Sequence, residues 1–294
     1  MKQNTSTFRL GLLCALALLG SAPALAQTDS YPNKPITIVV AYPPGGSTDL
    51  TGRTLGVELS KLLGVPVVIQ NIGGAGGAIG AQKVVNAEPD GYTLLAGVNN
   101  EIAISRLVSS AVKYQIKDFT PIGLIASQPM VLVAAKNSGI KNIDQFISQV
   151  KSNPGKYSYG SSGVGAALHL AGEMVKDQGG LFMTHIPYRG VAPLANDLLG
   201  NNIELGVFVL SSGLPLIKSG RVVAIGTTEA KRSAVTPDIP ALAENAKLKD
   251  IDINVWFALI GPANLPAPAL ATLKTALHVP LHSPDLRRTL EAPR

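Results

Sequence analysis

Ile36-Thr37-Ile38-Val39-Val40-Ala41-Tyr42-Pro43-Pro44-Gly45-Gly46-Ser47-Thr48-Asp49 is an apolar run, a proline-glycine turn and a set of helix-capping residues in direct succession. That order predicts a buried strand that turns straight into a helix. Such a junction gathers unpaired backbone N–H groups and the positive end of a helix dipole at one point, which attracts an anion without any charged side chain. A tight β–α turn that binds nothing has the same local signature, so this loop needs a partner before it counts as a site.

The alternation continues outward. A helix is expected over residues 50–63, a second strand over 65–70 and, after Gly73-Gly74-Ala75-Gly76-Gly77, a helix over 78–87. Pro89-Asp90-Gly91 then turns the chain into a third strand at 92–98. Continuous apolar strands alternating with helices predict a mostly parallel sheet flanked by helices. The pattern restarts at 130–135, and a short strand at 157–160 is followed by Ser161-Ser162-Gly163-Val164-Gly165 and a helix from about 166 to 176. This second glycine junction is the partner the first one needs. Ligands of open α/β sheets lie beside such loops, and one loop from each of two lobes can grip a carboxylate from opposite sides. The lobe boundary is expected near 125–128, with a return crossing near 226–229.

Composition narrows the function class. Lys2, Arg9, the apolar stretch 10–20 and Ala24-Leu25-Ala26 read as a secretory signal peptide at residues 1–26, cleaved after Ala26. Removing it leaves 268 residues (294 minus 26), enough for two lobes, and takes with it Cys14, the single cysteine. Disulfides, thiolate metal sites and cysteine catalysis are therefore not expected. The basic count falls from 25 to 23 against 19 acids, a net charge of +4. That suits a small anion, and it is far from the clustered basic surface of a nucleic-acid binder.

The sequence also resembles a known family, the solute-binding receptors of tripartite tricarboxylate transporters (the Bordetella uptake gene, or Bug, family). The resemblance rests on an ordered set of short matches through most of the chain: Tyr31-Pro32-Asn33-Lys34-Pro35-Ile36, Pro43-Pro44-Gly45-Gly46-Ser47-Thr48-Asp49, Asn71-Ile72-Gly73-Gly74-Ala75-Gly76-Gly77, Pro89-Asp90-Gly91-Tyr92-Thr93-Leu94, Phe119-Thr120-Pro121-Ile122-Gly123-Leu124, Tyr188-Arg189-Gly190, Pro237-Asp238-Ile239-Pro240 and Trp256-Phe257. It implies an α/β, two-lobed, type 2-like periplasmic binding protein with the ligand cleft between the lobes. The lobes would be 27–125 plus 227–294, and 126–226. It further implies a monomeric, non-enzymatic receptor without cofactor or metal, which hands a small carboxylate to the membrane subunits of its transporter.

By the family pattern the carboxylate is pinched between Gly45, Gly46, Ser47, Thr48 and Asp49 on one side and Ser161, Ser162, Gly163, Val164 and Gly165 on the other. Gly74, Ala75 and Gly76, and Asn99 and Asn100 after the third strand, would add contacts, as would Tyr42, Tyr188 and Gly190. The family's chains continue past the point where Arg294 ends this one. Around Val209-Leu210-Ser211-Ser212 the acidic residue that reads an amino group in amino-acid-binding members is not seen.

Several side chains carry a plainer alternative. Asp49 is first a helix cap and second an organiser of ligand waters. Tyr42 and Tyr188 are cleft phenols or half-buried core tyrosines. Arg189 is a solvated arginine or a clamp on a distal carboxylate. His169 is a packed histidine before it is a ligand contact, and Trp256 is a core anchor before it is a ligand platform. His278 and His282 have the i, i+4 spacing of a metal pair, but Pro280 is expected to break the helix between them. Two other functions stay open: a ligand-sensing subunit for a membrane kinase, and an exported serine hydrolase built on Ser162 and His169.

Overall fold

A computed structural model describes residues 31–234 and 236–281. The expected signal peptide with its cleavage site and Cys14, and the chain end with His282, lie outside the described residues. Among the described residues, nine strands form the sheet: β1 (Ile36–Val40), β2 (Val67–Asn71), β3 (Thr93–Val98), β4 (Phe119–Ala135), β5 (Ser158–Ser161), β6 (Thr184–Pro187), β7 (Leu205–Val209), β8 (Val222–Thr227) and β9 (Asn254–Pro262). Their order is β2-β1-β3-β9-β4-β7-β5-β6, with β8 also paired to β4. Among the described residues, no helix is long and apolar enough to cross a membrane.

β1 is the continuous apolar strand expected from its sequence. Ile36, Ile38, Val39 and Val40 are all fully buried, with β2 and β3 parallel on either side. α1 (Ser47–Leu63) covers one face through Leu55 and Leu59 and stops at Gly64, whose φ of 69° suits glycine. α2 (Ala78–Val85) covers the other face, and Ala78, Ala81 and Val84 join Val39, Ala41 and Leu95 in a separate core cluster. In the second half of the sheet, α3 (Ile143–Ser152), α4 (Ala167–Gly179), α5 (Val191–Leu199) and α6 (Leu210–Lys218) pack around parallel strands β7, β5 and β6.

The sheet is mixed rather than uniformly parallel. β9 runs antiparallel to β3, and β4 runs antiparallel to everything it pairs with. β4 is also far longer than the 130–135 segment expected. Phe119–Pro129 pairs with β9, and Met130–Ala135 pairs with β7 and β8. Pro121, Gly123 and Pro129 hide its first part in sequence. The register shifts between Pro121 and Gly123, and again between Leu124 and Ala126, are what admit the first two of these residues to a ladder.

Where β4 changes partners, Thr228 ties three chain segments together. Its N–H donates to Met130 O (2.9 Å), its Oγ1 to Ile253 O (2.6 Å), and its carbonyl accepts from Ile253 N–H (2.9 Å). The last helix, α7 (Ala267–Leu281), continues through Pro280, contrary to the break expected there. Among the described residues, Leu281 is the helical residue that follows that proline.

Candidate functional site

The turn after β1 is fixed from behind by three side chains. Gly45 has φ 91°, a conformation that favours glycine, and its N–H donates to Asp49 Oδ2 (3.0 Å). Asp49 also accepts from Arg53 Nε (2.9 Å) and Asn71 Nδ2 (2.8 Å), and Asn71 Nδ2 bonds Tyr42 O (3.0 Å). Burial alone would raise the Asp49 carboxyl, but these donors outweigh it and hold its pKa below the ordinary value. Asp49 therefore acts as a cap on the loop amide before the helix and not on the first-turn N–H groups, because it sits at the third helical position and reaches backward. Gly45 N–H is thus already taken. The first-turn N–H groups of Ser47 and Thr48 have no acceptor within their own helix.

The second turn, between β5 and α4, is built differently. Gly163 (φ 137°) and Gly165 (φ 73°) give it its shape. Gly163 N–H donates to Ser161 Oγ (3.2 Å), and Gly165 N–H donates to His169 Nδ1 (3.0 Å). Ser161 Oγ shares a 2.7 Å hydrogen bond with His185 Nε2, and the His185 ring stacks on His169 with centroids 3.9 Å apart. Burial, then the adjacent His169, push His185 down to about 4, and burial also lowers His169. Two neutral imidazoles therefore brace this loop. The first-turn amides of α4, at Ala167 and Leu168, point out of the helix end like those of α1.

A third element closes the group. Gly74, Ala75, Gly76 and Gly77 all have positive φ, and Gly76 O accepts from Tyr42 Oη (3.3 Å) and from Asn100 Nδ2. Asn100 begins a π-helical turn, Asn100–Ile104, of the kind found at functional sites. The next residue, Glu101, is fully buried; its Oε2 accepts from Tyr42 Oη (2.9 Å) and its Oε1 from Val98 N–H (2.8 Å). Burial pushes its carboxyl up to about 7, against the lowering effect of those bonds.

Both helix ends open onto one cavity of about 40 Å³, lined by Gly46, Ser47 and Thr48 from one junction and by Ser162, Ala166, Ala167 and Leu168 from the other. Tyr42, Asn100 and Gly190 complete its polar wall, and Val98, Val191, Val209 and Val255 supply the apolar one. It meets, at Tyr42, Pro43 and Ser162, a wider cleft of about 780 Å³ that includes Gly74, Ala75, Gly76, Gly163, Val164, Tyr188 and the exposed Arg189. The two sides of the cleft touch. A Cβ on Gly46 would lie 3.1 Å from Val191 Cγ2, and one on Gly190 would lie 3.1 Å from Pro43 Cδ.

Of the residues assigned to the carboxylate in the sequence, Gly45, Asp49, Asn99, Ser161 and Gly165 line neither space. Asn99 Nδ2 turns to Asn254 O (3.1 Å), and Ser161 is fully buried. Tyr188 lines the cleft, but its hydroxyl is bound to Asp197 Oδ2 (2.8 Å). His169 stays behind the second loop, and Trp256 lies on a separate apolar groove beside Phe119 and Leu124. The four valines, Glu101 and His185 carry no local sequence signal for this place. Only the lone acid directly after Asn99-Asn100 could have drawn attention.

The sequence profile of the tripartite tricarboxylate transporter family receptor matches residues 52–293. Three solved proteins superpose over most of the chain. The periplasmic binding protein BugD is 33% identical, covers 89% of this chain and 87% of its own, and has a TM-score of 0.84. Rpa4515 of R. palustris, solved with adipate, is 31% identical over 87% and 85% of the two chains, with a TM-score of 0.84. MatC of Rhodopseudomonas palustris, solved with bound malate, is 29% identical over 89% of each, with a TM-score of 0.83. The profile match and the shared architecture agree: this chain belongs to the tripartite tricarboxylate transporter receptor family.

Proposed function

We propose that the chain is a periplasmic receptor, not an enzyme, which captures a small carboxylate between two lobes and presents it as a monomer to the membrane subunits of a tripartite transporter. The observation that carries this reading is the convergence of two helix N-termini, α1 and α4, on one cavity whose lining contains no cationic side chain. At roughly 10–15 Å³ per water, 40 Å³ holds one carboxylate head or about three waters, and the outer cleft takes the rest of the molecule. Three or four hydrogen bonds to a charged group at about 1.5–3 kcal/mol each reach the −8 kcal/mol or so of micromolar affinity. The adipate and malate of the two relatives fit the same class, and Arg189 on the outer rim suits a second carboxylate.

The lobes in this reading are 27–125 with 227–294, and 126–226, preceded by a signal peptide cut after Ala26. The change of β4 partners between Pro129 and Met130 supports a division there. Closure over ligand would let the transporter distinguish loaded from empty receptor. The hydrolase alternative loses its support, because the serine that meets a histidine is the fully buried Ser161.

Calorimetry against malate, adipate and monocarboxylates tests the reading. Micromolar binding of at least one, lost in Gly163→Leu, supports it; no binding, or unchanged affinity in that variant, overturns it. Labelling of Ser162 by a fluorophosphonate would count for the hydrolase.

A further inference from the structure

Glu101 is a buried carboxyl that the capture of an anion does not by itself explain. It lies one hydrogen bond behind the cavity wall: Tyr42 and Asn100 both line the cavity, Tyr42 Oη is 2.9 Å from Glu101 Oε2, and Asn100 Nδ2 is 3.2 Å from Tyr42 Oη. The titratable groups that face it are Tyr42, from the turn after β1, and Tyr114, whose hydroxyl donates to Glu101 O (2.7 Å). Both tyrosines are pushed above their ordinary pKa, chiefly by burial and then by Glu101 itself, so both are neutral through the physiological range. Among the described residues, none of its hydrogen-bond or ion-pair partners is a cation.

The surrounding bonds can be satisfied in either protonation state. Ionised Glu101 accepts from Val98 N–H and from Tyr42 O–H. Protonated Glu101 still accepts from Val98 N–H and donates its own proton to Tyr42 Oη, whose hydroxyl then turns to Gly76 O, 3.3 Å away. The second arrangement ties the Gly74–Gly77 loop to Tyr42 and removes a negative charge from behind the anion cavity. The first leaves two like charges on the two faces of one thin, buried wall, where low dielectric makes their repulsion strong.

The geometry points to Glu101 as a positioning residue that couples carboxylate capture to the uptake of one proton. This rests on the carboxylate reading of the cavity. The proton comes from solvent and goes to Glu101 Oε2, so that the pocket gains one anion and one proton together. Affinity then falls with rising pH above the range in which free Glu101 ionises, by up to about tenfold per pH unit, and is flat below it. Glu101→Gln reproduces the protonated pattern, since its amide can accept from Val98 N–H and donate to Tyr42.

Calorimetry with malate or adipate, in two buffers of different ionisation enthalpy between pH 6.5 and 9, counts the protons taken up. The expected result is net uptake approaching one proton at pH 8, with none in Glu101→Gln, which binds at pH 8.5 as tightly as the wild type at pH 6.5. A purely structural role would instead weaken binding in that variant equally at every pH, and that result overturns the proposal, as does zero proton uptake by the wild type. Should neither acid bind, the carboxylate reading fails separately. The carboxyl ¹³C shift of Glu101 in the free protein is read separately: titration near pH 4.5 overturns the coupling, and titration near neutrality supports the proton site on which it depends.

Discussion

Replacing Asp49 by alanine removes the anchor of the first glycine turn and leaves three donors behind. Gly45 N–H and Asn71 Nδ2 lose bonds of 3.0 and 2.8 Å, and Arg53 loses its ion pair. The three losses are unequal. The Arg53 side chain is 50% exposed and turns to water, so its share is about 0.5 kcal/mol or less. Asn71 Nδ2 keeps Tyr42 O, and the exposed Gly45 can be rehydrated in part. With charge-assisted bonds worth about 1.5–3 kcal/mol each, the two main losses total about 3 kcal/mol after this relief. For a chain of this size that lowers the melting temperature by about 6–12 °C. Urea denaturation of Asp49→Ala, Arg53→Ala and the double variant measures both the loss and the coupling. Asp49→Ala within 0.5 kcal/mol of wild type, or a coupling to Arg53 that accounts for most of the loss, would refute the view that the carboxylate works on the loop amide. The same carboxyl has a depressed folded pKa, so its contribution is present above about pH 4 and disappears as pH falls through the folded value.

Gly46→Val sets a side chain against Val191 across the cleft and is expected to weaken carboxylate binding more than tenfold in calorimetry, with a melting temperature within a few degrees of wild type. Unchanged affinity would mean that the two sides need not approach this closely. His185 has a folded pKa of about 4, below the unfolded value near 6.5, so the unfolded chain takes up the proton first and stability drops as pH falls from about 6.5 to 4, by at most about 3 kcal/mol. His185→Gln should flatten that part of a stability–pH curve; an unaltered curve assigns the dependence elsewhere. Glu101 is the reverse case, with its folded pKa raised to about 7: its contribution is fully present below pH 4.5 and lost as pH rises through 7. Glu101→Gln is therefore expected to melt higher than wild type at pH 8.5 but not at pH 4.5, and equal melting at both would show that the buried charge is tolerated without cost.

The strand–turn–helix junctions were legible because their signals are local. An unbroken apolar run, two glycines and a capping cluster within 14 residues leave few alternatives, and the Ser161–Gly165 turn repeats the logic. The first part of β4 was not legible, since Pro121, Gly123 and Pro129 interrupt any strand pattern and only the pairing with β9 makes it a strand. α6 carries little helical signal of its own, because Ser211, Ser212, Gly213 and Pro215 are weak helix formers whose preferences tertiary packing overrides. Within the site, the supports were invisible for a related reason. Glu101 meets Tyr42 across 59 residues and His185 meets Ser161 across 24, and no window of sequence contains either pair.

Because β4 is one uninterrupted strand laddered on both sides of the Pro129–Met130 step, any movement of one sheet half against the other must pass through it as twist, spread over several φ and ψ angles. A pivot of this kind works as a torsion bar rather than a loose tether: it resists rotation of one sheet half against the other and, in the receptor reading proposed above, returns the two glycine turns to one resting angle. Under the proposed closure, amide exchange along β4 is expected to stay slow, the opposite of what a flexible linker would give.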